Sequence, residues 1–257
     1  MTSPVIAGLT GNLSADAFAP AIALWREWNA RINVISRKDE DNIYAHHILH
    51  SLAIYEYLQR HYVLQVGQES SHLEQGSVAP EGRATCGTEA GGPSRRDGGV
   101  SEANSRRGKQ PPVAILDLGT GGGFPGIPLA MAMPEAQFTL CDSIGKKVRV
   151  AQAVAEGLGL KNVKCVQARA EELPGQWDWV VSRAVTSLEN LYPWVKGRYR
   201  RSIICLKGGD VASEIAALQK RFKVPAETIR IWPISEWLKD DPYYAEKYVV
   251  EISAQAL

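Results

Sequence analysis

Between Ile115 and Gly126 the chain reads ILDLGTGGGFPG. A hydrophobic run ends around Asp117, and four glycines then fall within five residues. Glycine has no side chain to pack and loses the most conformational freedom on folding. A backbone this bare is explained by close approach to a ligand. Gly121, Gly123 and Gly126 fit the G-x-G-x-x-G spacing of dinucleotide sites. Gly119, Gly121 and Gly123 fit the looser D-x-G-x-G-x-G spacing of sites for S-adenosylmethionine. Two neighbours favour the methyl donor over NAD. A carboxylate at Asp117 can face the cationic amino acid end of a sulfonium ligand, directly or through water, and repels a pyrophosphate. Pro125 removes one of the N–H groups that a helix N-terminus offers to phosphate. A tight strand-to-helix turn with no ligand is the alternative.

Five further stretches offer chemistry. Asp142 closes the next hydrophobic run, in TLCDS, where an acid can accept hydrogen bonds from both ribose hydroxyls of an adenosine ligand. Capping the following helix, with Ser143 equally suited, is the competing role. The segment ARAEEL places Ala170 and Glu171 where an adenine ring would be flanked; for Glu171 a first-turn helix charge is the alternative. Arg183 and Lys207 end two more runs, in SRA and CLKG, and so point into the same crevice. Each can donate to O6 of a guanine or grip a phosphate. The competing roles are a salt bridge from Arg183 to an acid such as Glu171, and a solvated rim charge at Lys207. His46, His47 and His50 share part of one helix, without a third metal ligand in sight, so no metal is expected. His47 facing the crevice or stacking on RNA stands beside a hydrogen-bonded structural histidine.

The elements that must position these groups fall into three regions. Residues 1–65 are read as a helical segment: Ile22, Trp25, Trp28 and Ile32 make one apolar stripe after a cap at Ser14 or Asp16. A second helix, starting near Asp39, buries Ile43, Ile48, Leu52 and Tyr55. Residues 66–112 are rich in Gly, Ser, Pro and charge and read as a flexible insertion, because so little apolar surface cannot offset the entropy of ordering. Residues 113–257 alternate strand-like and helix-like segments, which predicts an α/β core: a parallel sheet with helices on both faces. The loop SEWLKDDPYYAEK is too short and polar for a crossover helix, so the final strand is expected to enter antiparallel.

The bulk numbers set the frame. A net charge of +1 over 257 residues gives no global sign of nucleic acid, so any RNA-binding surface must be local. Cys86, Cys141, Cys165 and Cys205 form no C-x-x-C pair; three sit in apolar runs and read as reduced core thiols suited to a reducing cytosol. No stretch approaches the length of a membrane span and the start lacks a secretory pattern, so a cytoplasmic protein without a membrane partner is expected.

Together, WNARINVISRKDEDNIYAHHILHSLAI, ILDLGTGGGFPGIPLAMAMPEAQFTLCDSIGKKVRV, ARAEEL, SRAVTSLENL and CLKGG resemble the ribosomal RNA small subunit methyltransferase G family, also called glucose-inhibited division protein B. The resemblance covers both regions outside the insertion. It implies a seven-stranded, Rossmann-like methyltransferase fold behind a helical N-terminal segment. It also implies transfer of a methyl group from S-adenosylmethionine to N7 of one guanine in small-subunit ribosomal RNA. Separately, the protein is expected to act as a monomer. Gly119, Phe124, Ala170, Glu171 and Arg183 match the family's cofactor contacts. The chain departs from the family in two places: His50 stands where the family commonly has an aspartate, and the insertion is longer. Guanine N7 carries a lone pair and no proton, so no general base is required, which fits the absence of any triad in the sequence. A methyltransferase acting on a small molecule or protein, a non-catalytic adenosine-nucleotide-binding assembly factor and NAD-dependent redox chemistry are the competing functions.

Overall fold

The computed structural model of the chain describes residues 15–63 and 112–254. The expected insertion therefore falls almost wholly outside the described residues, as do Ser14 and Cys86.

The strand-like segments form seven strands: β1 (Ala114–Leu118), β2 (Gln137–Asp142), β3 (Val163–Gln167), β4 (Trp177–Arg183), β5 (Tyr199–Gly208), β6 (Ile229–Pro233) and β7 (Lys247–Ser253). They join one sheet in the order β3-β2-β1-β4-β5-β7-β6. The first five are parallel, and β7 runs antiparallel to both β5 and β6, as the short polar loop before it requires. Central strands covered on both faces need unbroken apolar sequence. Ile115–Leu118 of β1 and Ser202–Leu206 of β5 are accordingly buried without interruption.

Two apolar layers enclose the sheet. On one face lie α1 (Ala19–Asn29), α2 (Leu49–Leu58), α3 (Gly126–Ala132) and α4 (Gly145–Gly157), with α1 packed on α4 and α2 on α3. On the other lie α5 (Leu188–Val195) and α6 (Val211–Phe222), packed on each other. α6 starts at Asp210, whose carboxylate accepts from the Ser213 amide at 3.0 Å.

The N-terminal segment departs from two plain helices. Asp16 sits inside a 3-10 turn (Ala15–Phe18), and α1 begins after Phe18 with no side-chain cap. The second helix is composite: a 3-10 turn at Arg37–Asn42, a π-helical turn at Ile43–Ile48, then α2, then another π turn at Gln59–Val63. Asp39 lies within the first turn and caps nothing. Two long-range contacts fix this segment to the core. The Trp25 indole N–H donates to the Gly122 carbonyl at 2.7 Å. Glu251 of β7, fully buried, accepts hydrogen bonds from Tyr57, Tyr62 and Ser202. A buried carboxylate is tolerated only with such partners.

Candidate functional site

The order of the sheet reverses between β1 and β4, and in such sheets a crevice opens beyond the strand carboxyl ends at that point. A cleft of about 930 Å³ lies there. The glycine loop forms one wall. Gly119 and Gly121 both have left-handed backbones, with φ of +71° and +56°. A Cβ on Gly119 would lie 2.2 Å from Cγ2 of Val185, so this position is bare because the loop after β4 presses on it. A Cβ on Gly121 would meet nothing within 4 Å. Its bareness leaves a gap that opens into the cleft, as a backbone cradle for a ligand requires. Gly122 is bare because Val34 of the N-terminal segment packs there, 2.8 Å from where a Cβ would stand.

Asp117 does not face the cleft. It is fully buried, and its Oδ2 accepts from Thr120 Oγ1 at 2.5 Å and from the Gly126 amide at 2.8 Å. The expected contact with a cationic ligand is replaced by a brace across the loop. Burial pushes this carboxyl up to about 7, against the pull of its two hydrogen bonds.

Asp142 does line the cleft. Its Oδ2 accepts from the Gly121 amide at 3.0 Å and its Oδ1 from the Ile144 amide at 2.8 Å. Each oxygen keeps a second lone pair for a hydroxyl donor. Neither Asp142 nor Ser143 caps α4 by side chain. Ala170 and exposed Glu171 line the opposite wall on a 3-10 turn, Ala170–Glu172. Arg198, unnoticed in the sequence, fixes that turn: Nη1 donates to the Ala170 carbonyl at 2.9 Å and Nη2 to the Glu171 carbonyl at 2.6 Å. Ile144 and Val185 stand exposed at the rim, apolar surface that a bound ligand would cover. The bare gap at Gly121, the carboxylate of Asp142 and the Ala170–Glu171 turn fit an adenosine group.

Arg183 pairs with His47, and no contact with Glu171 is among those it makes. Its Nη2 lies 3.0 Å from His47 Nδ1, and its guanidinium sits 4.9 Å over the Phe124 ring. Phe124 is stacked on Trp25 at 4.2 Å, so α1 supports the platform from behind. Arginine has only donors, so His47 Nδ1 must accept. The ring proton is then on Nε2, which donates to Asp39 Oδ2 at 2.7 Å. The other oxygen of Asp39 bonds His46 Nδ1 at 2.6 Å, and His46 stacks on Tyr243 at 3.8 Å. Burial and the neighbouring Arg183 charge hold His47 down to about 4, so it is neutral near pH 7. Asp39 thus sets the tautomer of His47, which in turn orients Arg183.

Lys207 lines the cleft, yet it is no solvated rim charge. Its ammonium pairs with Glu214 at 2.8 Å and donates to the Thr186 carbonyl at 2.5 Å. His50 is buried with neither ring nitrogen hydrogen-bonded. Among the described residues no group of His, Cys, Asp and Glu could hold a metal. Cys141 and Cys205 are buried free thiols, and Cys165 is a half-buried one. Trp25, Trp177 and Trp179 are core, whereas Trp194 lines the cleft.

Residues 101–232 match the family described as GidB, rRNA small subunit methyltransferase G. A ribosomal RNA small subunit methyltransferase G from Flavobacterium psychrophilum is 37% identical over 246 residues, 93% of this chain and 90% of the relative. One from Porphyromonas gingivalis is 39% identical over 244 residues, 91% of this chain and 85% of the relative. Among solved structures, magnesium protoporphyrin IX methyltransferase from Synechocystis PCC 6803 aligns with a TM-score of 0.45 at 17% identity, covering 56% of this chain and 71% of that one.

Proposed function

The chain belongs to the rRNA small subunit methyltransferase G family, and on that premise we propose that it transfers a methyl group from S-adenosylmethionine to N7 of one guanine in small-subunit ribosomal RNA. The family is one of S-adenosylmethionine-dependent methyltransferases. The observation that carries the guanine reading is the placement of Arg183. It stands beside the glycine loop, stacked on Phe124, with one N–H committed to His47 and its remaining donors free of any other hydrogen bond among the described residues. A planar cation so held matches the O6 edge of a guanine.

The sulfonium supplies an activated methyl carbon. The residues of this chain have only to bring nucleophile and carbon into line, because N7 needs no deprotonation. We assign Gly119, Gly121, Phe124, Asp142, Ala170, Glu171 and Arg183 to cofactor binding and Arg183 to the base as well; His47, expected to meet the substrate, has both ring nitrogens committed to Arg183 and Asp39 and positions Arg183 instead. Lys207 acts here by anchoring the loop after β4 through Thr186. Support for an RNA substrate comes from exposed Arg37, Lys38, Lys146 and Arg149, with Lys147 in the cleft wall. No described helix is long and apolar enough to cross a membrane. A monomer acting on ribosomal subunits in the cytoplasm completes the proposal.

The test is transfer of labelled methyl to protein-depleted small-subunit RNA, followed by nucleoside digestion. The expected product is 7-methylguanosine. Label found only on protein or small molecules overturns the substrate. Arg183→Ala should lower turnover by about 100-fold while the fold survives; turnover at the wild-type level removes Arg183 from the reaction.

A further inference from the structure

Lys207 was the cation expected to meet the substrate at the end of β5, but its charge is spent on Glu214. The antiparallel return of β7 brings a second lysine to the same place. Lys247 pairs in register with Gly208, and its Nζ lies 3.0 Å from where a Gly208 Cβ would stand. It lines the cleft, sits 5.0 Å over the ring of Tyr243 and has no carboxylate partner among the described residues. His50 also lines the cleft, only 6% exposed, between the edges of Tyr243 at 6.1 Å and Tyr244 at 5.8 Å. Neither of its nitrogens has a partner. A buried, unpaired imidazole costs stability. That cost is explained if a ligand completes its hydrogen bonds.

We propose that Lys247, His50 and Arg183 form the subsite that reads the guanine base, with Tyr243 as the ring that seats Lys247. The proposal rests on the guanine reading given above and names the groups that select that base. With N7 turned toward the methyl group, O6 and the N1–H and N2–H₂ donors remain to be recognised. Arg183 and Lys247 donate to O6. His50 accepts from N1–H or N2–H. It is kept neutral by burial and by the charges of Arg183 and Lys247, so it retains a free lone pair. Adenine reverses both demands: it places an amino donor at position 6, facing two cations, and a bare acceptor at N1. The stack of His46 on Tyr243 fixes the ring over which Lys247 sits.

Three full-length variants test this with protein-depleted small-subunit RNA and with S-adenosylhomocysteine as the cofactor probe. Lys247→Met should lower kcat/KM for RNA about 10- to 100-fold, with the affinity for S-adenosylhomocysteine within about twofold of wild type. His50→Leu should show the same loss in RNA turnover while its melting temperature holds or rises, since two unpaired polar atoms have gone. His50→Asp should retain more RNA turnover than His50→Leu, because a carboxylate also accepts from N1–H and N2–H, and should melt lower. Activity and stability therefore rank the two His50 variants in opposite orders, which a purely structural histidine cannot produce. If activity follows stability, or if Lys247→Met and His50→Leu both stay within twofold of wild type, the subsite is wrong. Equal loss of cofactor affinity and RNA turnover also overturns it. Wild-type protein that makes no 7-methylguanosine sinks the functional reading and the subsite with it. Wild type that makes it while the variants match sinks the subsite alone.

Discussion

Gly119 and Gly121 look alike in the sequence but should fail differently when given a methyl group. Both have positive φ, so alanine at either costs about 1–2 kcal/mol for the left-handed backbone. At Gly121 the new Cβ meets nothing within 4 Å. At Gly119 it would lie 2.2 Å from Val185 Cγ2, far inside the ~3.5–4.0 Å of a normal carbon contact. Relieving that overlap should add about 1–3 kcal/mol, the usual range for overpacking. Val185→Ala removes both γ-carbons and leaves the Val185 Cβ as the nearest of these atoms, at 3.3 Å. Val185 is 37% exposed, so its truncation alone should cost under about 1 kcal/mol. The double variant Gly119→Ala/Val185→Ala should therefore recover the overlap term and keep the backbone term. Urea unfolding of the four proteins gives the coupling, expected at about 1–3 kcal/mol. Gly121→Ala should lose only the backbone term in unfolding, yet weaken S-adenosylhomocysteine binding in calorimetry, because its methyl occupies cleft. Strict additivity between positions 119 and 185, or unchanged cofactor affinity in Gly121→Ala, would refute this account of the loop.

Three other outcomes follow from the same geometry. Asp117 has its carboxyl raised to about 7 in the fold, so it favours the protonated state; its contribution to stability is complete below about pH 4 and is lost as pH rises through 7. Relative to Asp117→Asn, wild-type unfolding free energy should fall by up to about 4 kcal/mol between pH 4 and 8; parallel profiles would remove Asp117 as the source. Asp39→Ala frees the tautomer of His47 and should lower turnover roughly 10-fold or more through misplacement of Arg183. In the wild type, nitrogen NMR should find the His47 proton on Nε2, and a proton on Nδ1 contradicts the relay. Trp25→Phe should cost about 1–3 kcal/mol by leaving the Gly122 carbonyl without its donor, and should weaken cofactor binding, whereas Trp28→Phe should do neither.

The strands were legible because apolar runs buried on both faces leave an unmistakable mark, and the antiparallel entry of β7 followed from the polarity of one loop. The glycine loop and Arg183 were legible because residue type and position at a strand end coincide. Other readings failed for want of long-range information. Asp117 and Asp142 are both acids at strand ends, but the turn of the chain through Thr120 and Gly126 claims the first for the loop's own backbone. Lys207 finds Glu214 one helix later, a pairing that no local pattern signals. Trp25 reads as one more stripe residue, yet its partner Gly122 is 97 positions away. Asp39 reads in the sequence only as the neighbourhood of a helix start; its two histidine partners fit the turn-and-π geometry that local propensity does not foretell.

The direction of β7 decides who takes part in the chemistry. In a parallel sheet, only the far end of each strand reaches the ligand, so the near ends serve stability alone. A strand inserted the other way round delivers its opening residue to the working edge, together with the connector that precedes it. Tyr243 and Lys247 reach the cleft for this reason, while Ser253 ends up at the remote side beside Ser202. Variation in that connector can therefore retune what enters the crevice without disturbing the five parallel strands.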